Sequence, residues 1–355
     1  MGINNDPIGF FENSDKVLML DEIQRSKESF VTIKYMIDTY RKKKKVLYIL
    51  TGSQKYSLMK NISESLAGRI AILEMYGLSN RELYKYDFNT PFLPDIKYLK
   101  KCKPTYNFTK KSLWKRILFG SYPAIYSRKI KDLDSYYNNL IESYVERDVR
   151  ELINVKDLMT FKKFLILLAS RSGQLLNMAE IGKEISIDSK TVKSWVSILE
   201  ASNIIYLLYP FSLNVSKRII KTPKLYFLDT GLLCYLTKWK TSETLESGAS
   251  SGHIYETFVV SEIIKSYANV GKKCDIYYFR STNKDEIDLL FYKNNTLYPI
   301  EIKKTSSPNI KDISAFKLLS NYYKNVKIGT GGIICNVKEL TPLYNNNYII
   351  PIEFI

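Results

Sequence analysis

The feature that most constrains the fold is a short apolar run that ends in two acidic residues. Residues 17 to 23 read Val-Leu-Met-Leu-Asp-Glu-Ile, and a second apolar run at residues 46 to 50 is followed by Thr-Gly-Ser. A helical pattern over residues 30 to 40 separates the two runs, and a third apolar run covers residues 70 to 75. Buried runs of this length that alternate with helices predict neighbouring strands of a parallel sheet. The sequence therefore predicts an α/β fold in which Asp21 and Glu22 lie at the end of a strand.

The acidic pair is typical of enzymes that hydrolyse nucleoside triphosphates. In them the Asp holds a magnesium ion, the Glu polarises the attacking water, and a G-x-x-x-x-G-K-[ST] loop binds the phosphates. None of the 355 residues forms such a loop, and only sixteen residues precede Val17. A strand and helix carrying the loop would need roughly 30 residues. We therefore expect an incomplete P-loop sheet over residues 1 to 90, and weak or undetectable ATP binding by this chain alone.

The charge of the chain indicates a polyanionic partner. The formal net charge is +17, and the stretch from Ile96 to Lys131 contains eleven Lys or Arg and no acidic residue. Such a stretch can hold a nucleic acid through phosphate contacts and counterion release. A Lys-rich chain with simply solvated lysines is the alternative that charge alone leaves open.

Several classes of site are disfavoured by composition. No apolar run approaches the roughly 20 residues of a membrane span, and no signal peptide begins the chain, so we expect a cytoplasmic protein without membrane contact. The four cysteines are scattered without C-x-x-C spacing, which disfavours a zinc site and a disulfide framework. The single histidine, His253, excludes sites with several histidines and disfavours a histidine-based triad.

Residues 91 to 222 contain two further predicted units. Residues 91 to 152 form a basic helical linker that closes with a helix over 133 to 152. Residues 153 to 222 contain helices over 161 to 169, 178 to 184 and 189 to 201 and a strand over 204 to 209, an order typical of a winged helix-turn-helix. Its recognition helix would present Lys190, Thr191, Lys193 and Ser194. A helical module that only packs domains together is the alternative.

Residues 223 to 355 contain the candidate catalytic set. The predicted order is a helix over 254 to 266, strands over 276 to 279, 287 to 292 and 297 to 302, a helix over 313 to 323 and a strand over 333 to 335. This order is the core of the PD-(D/E)xK nuclease fold. Asp288 lies in the second strand, and the third ends in Glu301-Ile302-Lys303. Because side chains alternate along a strand, Glu301 and Lys303 point to the same side.

These residue types suit metal-dependent phosphate chemistry. Asp288 and Glu301, with the Ile302 carbonyl, offer hard oxygen ligands to Mg²⁺, which lowers the pKa of its bound water. Lys303 would position the nucleophile, and Glu256 on the first helix is a further carboxylate of the site. Glu286 could share the face of Asp288. A salt bridge between strands, or an inactive remnant of such a site, is the alternative.

Taken in order, these blocks resemble prokaryotic AAA-type ATPases that carry a C-terminal domain of unknown function with a nuclease-like fold. The resemblance covers nearly the full length and rests on segments starting at Asp6 (DPIGF), Leu20 (LDEIQR), Thr51 (TGS), Glu64 (ESLAGR), Leu78 (LSNREL), Gly120 (GSYP), Tyr144 (YVERDV), Phe227 (FLDTGL), Ile287 (ID) and Ile300 (IEIK).

The resemblance implies roles for four N-terminal residues. Asp21 and Glu22 would be the Walker B pair, with Asp21 at the metal, and Ser53 would occupy the sensor position. Arg69 would face a nucleotide, either in its own subunit or across the subunit boundary of a homo-oligomer. The cofactors implied are Mg²⁺ and ATP.

The sequence thus predicts an incomplete AAA-type parallel sheet, a winged-helix module and a nuclease-like α/β domain. The function expected of the parent family is ATP-dependent work on nucleic acid, with DNA as the expected substrate and Mg²⁺-dependent phosphodiester hydrolysis as the surviving chemistry. The alternatives are a DNA- or protein-binding module without catalysis and an inactive gene fragment.

Overall fold

The computed structural model describes residues 6–12, 17–40, 48–52, 58–59, 62, 64–127, 130, 132–144, 158–214 and 221–355. The chain divides into two compact units. One contains residues 1–73 together with 197–202, and the other contains residues 74–196 together with 203–355. No helix in the described ranges combines the length and apolar character that crossing a membrane requires.

The first unit is built on a pair of parallel strands. Strand β1, Leu18–Leu20, pairs with β2, Tyr48–Leu50. Its helical segments are Pro7–Glu12, the 3-10 turn Ile23–Arg25, and Lys27–Tyr40. Apolar residues of these elements form one buried cluster: Phe11, Ile23, Phe30, Ile33, Met36, Ile62 and Leu66. The predicted parallel pairing is confirmed for these two strands.

The prediction of a strand over residues 70 to 75 is wrong. These residues have no regular structure, and the side chains of Ile72, Leu73 and Met75 are 50%, 73% and 92% exposed. Within the described residues, β1 and β2 are the whole of their sheet. Among the residues that the structure describes, the apolar run therefore has no strand beside it to satisfy its amides and carbonyls.

The second unit begins with short helices. Their bounds are Asn80–Leu83, Ile96–Lys101, Lys110–Phe119, Pro123–Tyr126 and Leu133–Tyr144. Ser79 caps the first helix in a capping box with Glu82, and Thr109 caps Lys110–Phe119 through the amide of Ser112. The helix predicted over residues 133 to 152 is described as far as Tyr144, and its remainder lies outside the described residues.

Three helices and a small sheet follow. The helices are Leu158–Ser170, Met178–Glu184 and Ser189–Ala201. Strands β3 (Gln174–Leu175), β4 (Ile205–Leu208) and β5 (Lys224–Phe227) form an antiparallel sheet in the order β3-β5-β4. The Trp195 ring packs edge-on against Phe161 and Phe164, at 5.1 and 5.2 Å between centroids. Lys190, Lys193 and Ser194 are exposed, and the Thr191 hydroxyl donates to Asp188.

A larger mixed sheet carries the rest of the second unit. Helices Thr230–Leu236, Ser242–Ser247 and Ser251–Ala268 precede strands β6 (Ile276–Arg280), β7 (Glu286–Lys293) and β8 (Thr296–Ile302). After them come β9 (Lys327–Ile328), β10 (Gly331–Cys335), β11 (Thr341–Leu343) and β12 (Asn347–Pro351). The order is β11-β12-β10-β8-β7-β6, with β9 beside β8. Strands β6, β7 and β8 are antiparallel, whereas β8, β10 and β12 are parallel.

The helix predicted over residues 313 to 323 differs from the observed structure. The chain forms a 3-10 segment, Ile310–Leu318, and then a single α-turn, Leu319–Tyr322. Ile313 leaves helical geometry at φ −105° and ψ 15°. Its side chain and that of Phe316 are buried against the sheet, so packing rather than helical continuity sets this segment.

Candidate active site

Asp288, Glu301 and Lys303 meet where β7 begins beside the end of β8. Leu289 of β7 lies opposite Ile300 of β8, so the next opposed positions are Asp288 and Glu301. The amide of Ile302 donates to Oδ2 of Asp288 at 2.8 Å. The Lys303 ammonium lies 2.8 Å from Oε2 of Glu301 and 3.9 Å from Oδ2 of Asp288. Both carboxyl groups are buried, whereas the Lys303 side chain is 36% exposed.

Glu256 reaches the same place from helix Ser251–Ala268, but its partners come from β5. The Tyr226 hydroxyl donates to Oε1 of Glu256 at 2.6 Å, and the Lys224 ammonium lies 3.1 Å from the same oxygen. The Lys224 ammonium also lies 2.5 Å from Oε1 of Glu286 and 3.7 Å from Oδ1 of Asp288. Asp288 thus lies between two ammonium groups, one at each oxygen.

Crowding of buried carboxyl groups makes this site electrostatically unusual. Burial and the charge of Asp288 raise the pKa of Glu256 to about 7, although Lys224 opposes the change. Burial and Asp288 likewise raise the pKa of Glu301 to about 9, opposed by Lys303. Burial alone would lower the pKa of Lys224, but the surrounding carboxylates outweigh it and raise that pKa. Perturbed pKa values of this kind cluster at functional sites.

His253 lies at the rim of the cluster. Its Nδ1 is 4.0 Å from Oε2 of Glu256, one helical turn away, and its side chain is 47% exposed. Burial, followed by the nearby Lys224 charge, lowers the pKa of the imidazole. His253 is therefore neutral near pH 7 and adds no positive charge to the carboxylates.

The donor set is chemically compatible with Mg²⁺. Among the described residues no group of three or more His, Cys, Asp or Glu is arranged to hold a metal ion. Mg²⁺, however, is usually held by one or two carboxylates together with waters and substrate phosphates. Asp288 and Glu301 supply two such carboxyl groups, and the charge of a bound cation would favour their ionised forms. The cluster contains four carboxyl groups, those of Glu256, Glu286, Asp288 and Glu301. Three cationic side chains contact them: Lys224, Lys303 and Arg280, the last at 3.9 Å from Glu286.

The N-terminal acidic pair forms a separate arrangement in the first unit. The Thr51 hydroxyl donates to Oδ1 of Asp21, and the amide of Thr51 donates to the Leu20 carbonyl at 2.9 Å. Glu22 has a left-handed backbone, with φ 52° and ψ 38°, and its carboxylate accepts from the side-chain Nε2 of Gln24. A left-handed non-glycine residue is strained, and such strain concentrates at functional sites.

Of the other two residues predicted to contact nucleotide, Arg69 and Ser53, the structure describes Arg69. The Arg69 guanidinium binds Asp38, with Nε to Oδ1 at 2.7 Å and Nη2 to Oδ2 at 3.0 Å. It also donates to the Ala67 carbonyl. Ser53 lies outside the described residues.

Two residues of the cluster were missed by the sequence reasoning. Lys224 and Tyr226 belong to a strand that precedes the predicted nuclease core, and β5 places both on the face toward Glu256. A charged residue in an otherwise apolar run, Lys-Leu-Tyr-Phe, was the available signal. All four residues of β5 are buried, and a buried lysine requires a charged partner.

Most of the described basic residues between Ile96 and Lys131 are at the surface. The exposed members are Lys97, Lys100, Lys101, Lys103, Lys110, Lys111 and Lys115. Arg116 is instead buried, where it contacts Glu262 at 3.3 Å. Arg128, Lys129 and Lys131 lie outside the described residues. These exposed lysines make the described part of this stretch basic at the surface.

Comparison with known protein families gives three matches. Residues 4–84 match the family described as AAA domain, residues 110–243 match Domain of unknown function (DUF8612), and residues 251–355 match Domain of unknown function (DUF4143). The N-terminal match supports an AAA-type, ATPase-like domain. Asp21, Glu22 and Arg69 fall within it, whereas the Asp288 cluster falls largely in the DUF4143 match.

Two similar proteins are described only as uncharacterized. One from Mycobacterium tuberculosis is 26% identical over 305 residues, which are 86% of this chain and 62% of that protein. One from Methanocaldococcus jannaschii is 24% identical over 283 residues, which are 76% of this chain and 58% of that protein. The chain thus spans less than two thirds of the length of these relatives. The crystal structure of protein VC1899 from Vibrio cholerae is 15% identical, covering 93% of this chain and 83% of that one, with a TM-score of 0.17.

Proposed function

We propose that this chain, an ATPase-like protein by its match to the AAA domain, hydrolyses phosphodiester bonds of nucleic acid with Mg²⁺ at Asp288, Glu301 and Lys303. One observation carries the proposal: a single ammonium group, that of Lys303, contacts both carboxyl groups at the ends of β7 and β8. Two carboxylates and an amine on adjacent strand ends are the arrangement that the PD-(D/E)xK resemblance implies.

Asp288 and Glu301 would hold the Mg²⁺, which supplies positive charge for the phosphate and a bound water of lowered pKa. The chain's own contribution is orientation. The Ile302 amide fixes the Asp288 carboxylate against the strand that carries the other two residues. Lys303 is the most exposed of the three, so its ammonium is the group available to a phosphate that approaches from solvent. Glu256 is a neighbouring carboxylate that Tyr226 and Lys224 hold in place.

Nucleic acid is the substrate class that the charge distribution supports. The formal net charge is +17, and the exposed lysines of helices Ile96–Lys101 and Lys110–Phe119 would contact phosphates. The helices and antiparallel sheet between Leu158 and Phe227 have the element order of a winged helix-turn-helix. We propose that Lys190, Thr191, Lys193 and Ser194 face DNA there.

The AAA-like segment is proposed to contribute little nucleotide binding in this chain alone. Asp21 and Glu22 are positioned by Thr51 and Gln24, but the sequence offers no G-x-x-x-x-G-K-[ST] loop to bind a triphosphate. Calorimetric titration with ATP and Mg²⁺ tests this. We expect no binding at micromolar ATP, and a micromolar dissociation constant that Asp21→Asn weakens would overturn the proposal.

Cleavage assays test the proposed hydrolase. The full chain is incubated with plasmid, single-stranded DNA and RNA, in Mg²⁺, in Mn²⁺ or in excess EDTA. We expect metal-dependent cleavage of at least one substrate, and its loss in Asp288→Ala. Asp275→Ala, which removes an exposed carboxylate just before β6, is the matched control and should cleave like wild type. Equal cleavage by wild type and Asp288→Ala would contradict the proposal.

A second candidate function is nucleic-acid binding without cleavage. It is favoured by the ion pairs themselves, since Lys224 and Lys303 already engage the carboxylates that a metal would need. A pure binder requires no divalent ion, and its affinity falls steeply with salt. Binding that persists in EDTA, with no cleavage under any metal condition, would select this second function.

A further inference from the structure

We propose that Lys224 is a built-in counter-cation of the candidate metal site, which competes with a divalent cation for Asp288 and thereby sets the metal affinity. This inference rests on the proposed function only in placing the metal at Asp288 and Glu301. It adds a residue that lies outside the E-x-K arrangement and belongs to a different sheet.

The position of Lys224 is fixed by its strand. Strand β5 is the central strand of its sheet, and Lys224 lies opposite Leu208 of β4 on one side and Leu175 of β3 on the other. The side chain is 4% exposed, and its ammonium stands 5.9 Å from the Tyr278 ring centroid. With the strand held on both edges and the side chain buried, Lys224 has no route to a substrate in solvent. Its role must act through the groups that it contacts.

Those groups are three carboxylates from two other elements. The ammonium lies 2.5 Å from Glu286, 3.1 Å from Glu256 and 3.7 Å from Asp288. Asp288 is therefore the one of the three that Lys224 holds most weakly. A divalent cation could take over Asp288 while Lys224 keeps Glu286 and Glu256. The ammonium would remain close by, and its charge would repel the incoming cation.

Removing that charge should strengthen metal binding. Two like charges a few ångströms apart in a poorly solvated site repel by more than the energy of a tenfold change in affinity. A lysine with a purely structural role predicts a different outcome, in which neutral substitution lowers stability and leaves the intrinsic metal affinity unchanged. Metal affinity therefore separates the two roles.

The experiment measures Mn²⁺ binding by calorimetry or by electron paramagnetic resonance, with the full chain and no nucleic acid. Lys224→Met and Lys224→Gln should bind Mn²⁺ at least tenfold more tightly than wild type. Lys224→Arg keeps the charge and should remain within threefold of wild type. Lys272→Met, which neutralises an exposed lysine, is the matched control. Asp288→Asn should abolish the gained affinity when it is combined with Lys224→Gln.

Thermal unfolding gives a second measurement. Without metal, the neutral variants should be less stable than wild type because three carboxylates lose their shared cation. Mn²⁺ should raise their melting temperature more than that of wild type. Neutral variants that bind Mn²⁺ no more tightly than wild type would overturn the inference, and so would the failure of both to fold even with Mn²⁺ present.

The outcomes also separate this inference from the proposed function. Tightened Mn²⁺ binding without nucleic-acid cleavage by any variant would sustain the role of Lys224 and reject the hydrolase. Metal-dependent cleavage by wild type, with unchanged Mn²⁺ affinity in Lys224→Met and Lys224→Gln, would sustain the hydrolase and reject the role of Lys224.

Discussion

The amide of Ile302 donates a 2.8 Å hydrogen bond to Oδ2 of Asp288, which fixes the carboxylate of β7 against the backbone of β8. Glu301 and Lys303 flank that same residue in sequence. This backbone amide therefore fixes Asp288 beside the two residues that flank Ile302, and the geometry of the site follows from the pairing of two strands.

A buried ion network away from this site predicts how stability depends on pH. Glu262 accepts from the Lys265 ammonium at 2.9 Å and from the backbone N–H of Asn80 at 2.6 Å, and it contacts Arg116 at 3.3 Å. Burial alone would raise the pKa of Glu262, but Lys265 and Arg116 outweigh burial and lower it. A lowered folded-state pKa means stability that is present above the unfolded value of about 4.5 and is lost as pH falls.

Denaturant unfolding as a function of pH checks this. Glu262→Gln should cost about 3–5 kcal/mol at neutral pH, because it leaves two buried cations without their partner. The variant should also lose part of the pH dependence below about 4.5. Glu339→Gln changes an exposed glutamate and should match wild type. A pH dependence unchanged by Glu262→Gln would contradict the account.

Asp229 predicts a second stability effect. Its Oδ2 accepts from the amide and hydroxyl of Ser121 at 2.6 and 2.7 Å, and its Oδ1 accepts from Tyr137 and from the Leu232 amide. Asp229→Ala should lower the free energy of unfolding by about 3 kcal/mol, since it removes a helix cap and leaves buried donors unpaired. Asp229→Asn should lose less, because an acceptor oxygen remains. If Asp229→Ala lowered the free energy of unfolding by less than about 0.5 kcal/mol, the result would contradict this role.

The surface lysines predict a salt dependence of nucleic-acid binding. Replacing Lys97, Lys100 and Lys101 by Gln should lower the slope of log affinity against log salt by about 2 to 3 on duplex DNA, since each lost phosphate contact contributes about 0.9. Titrations at several salt concentrations measure this slope. The control is the same triple change at Lys272, Lys293 and Lys327, which are also exposed. Equal slopes for the two triple variants would show that helix Ile96–Lys101 is not the contact surface.

The proximity of Asp288, Glu301 and Lys303 could be predicted from the sequence because these residues lie close together along the chain. Asp288, Glu301 and Lys303 lie on two consecutive strands of a hairpin, where side-chain alternation fixes which residues share a side. The contact of Lys224 with Asp288 could not be predicted in the same way. Lys224 reaches Asp288 from a separate sheet, and no periodicity in the chain encodes that packing.

One difference between the predicted and the observed fold has a similar origin. The run at residues 70 to 75 has the composition of a strand, but strand formation requires a neighbouring strand, and β1 and β2 pair only with each other among the residues described. The Leu78 to Leu83 motif is part of the family resemblance, but its sequence does not indicate what Arg81 contacts. In the structure Arg81 donates to the carbonyls of Phe88, Thr90 and Ile355, which are contacts across the second unit that a linear pattern cannot show.

The most direct test of the central claim is the Mn²⁺-dependent cleavage rate of Glu301→Gln on whichever nucleic acid wild type cleaves. The substitution keeps the shape of a buried side chain and removes a proposed metal ligand. Loss of several kcal/mol of transition-state stabilisation corresponds to a rate reduction of at least about 100-fold. The account predicts that reduction in a folded variant. A rate within twofold of wild type would contradict it.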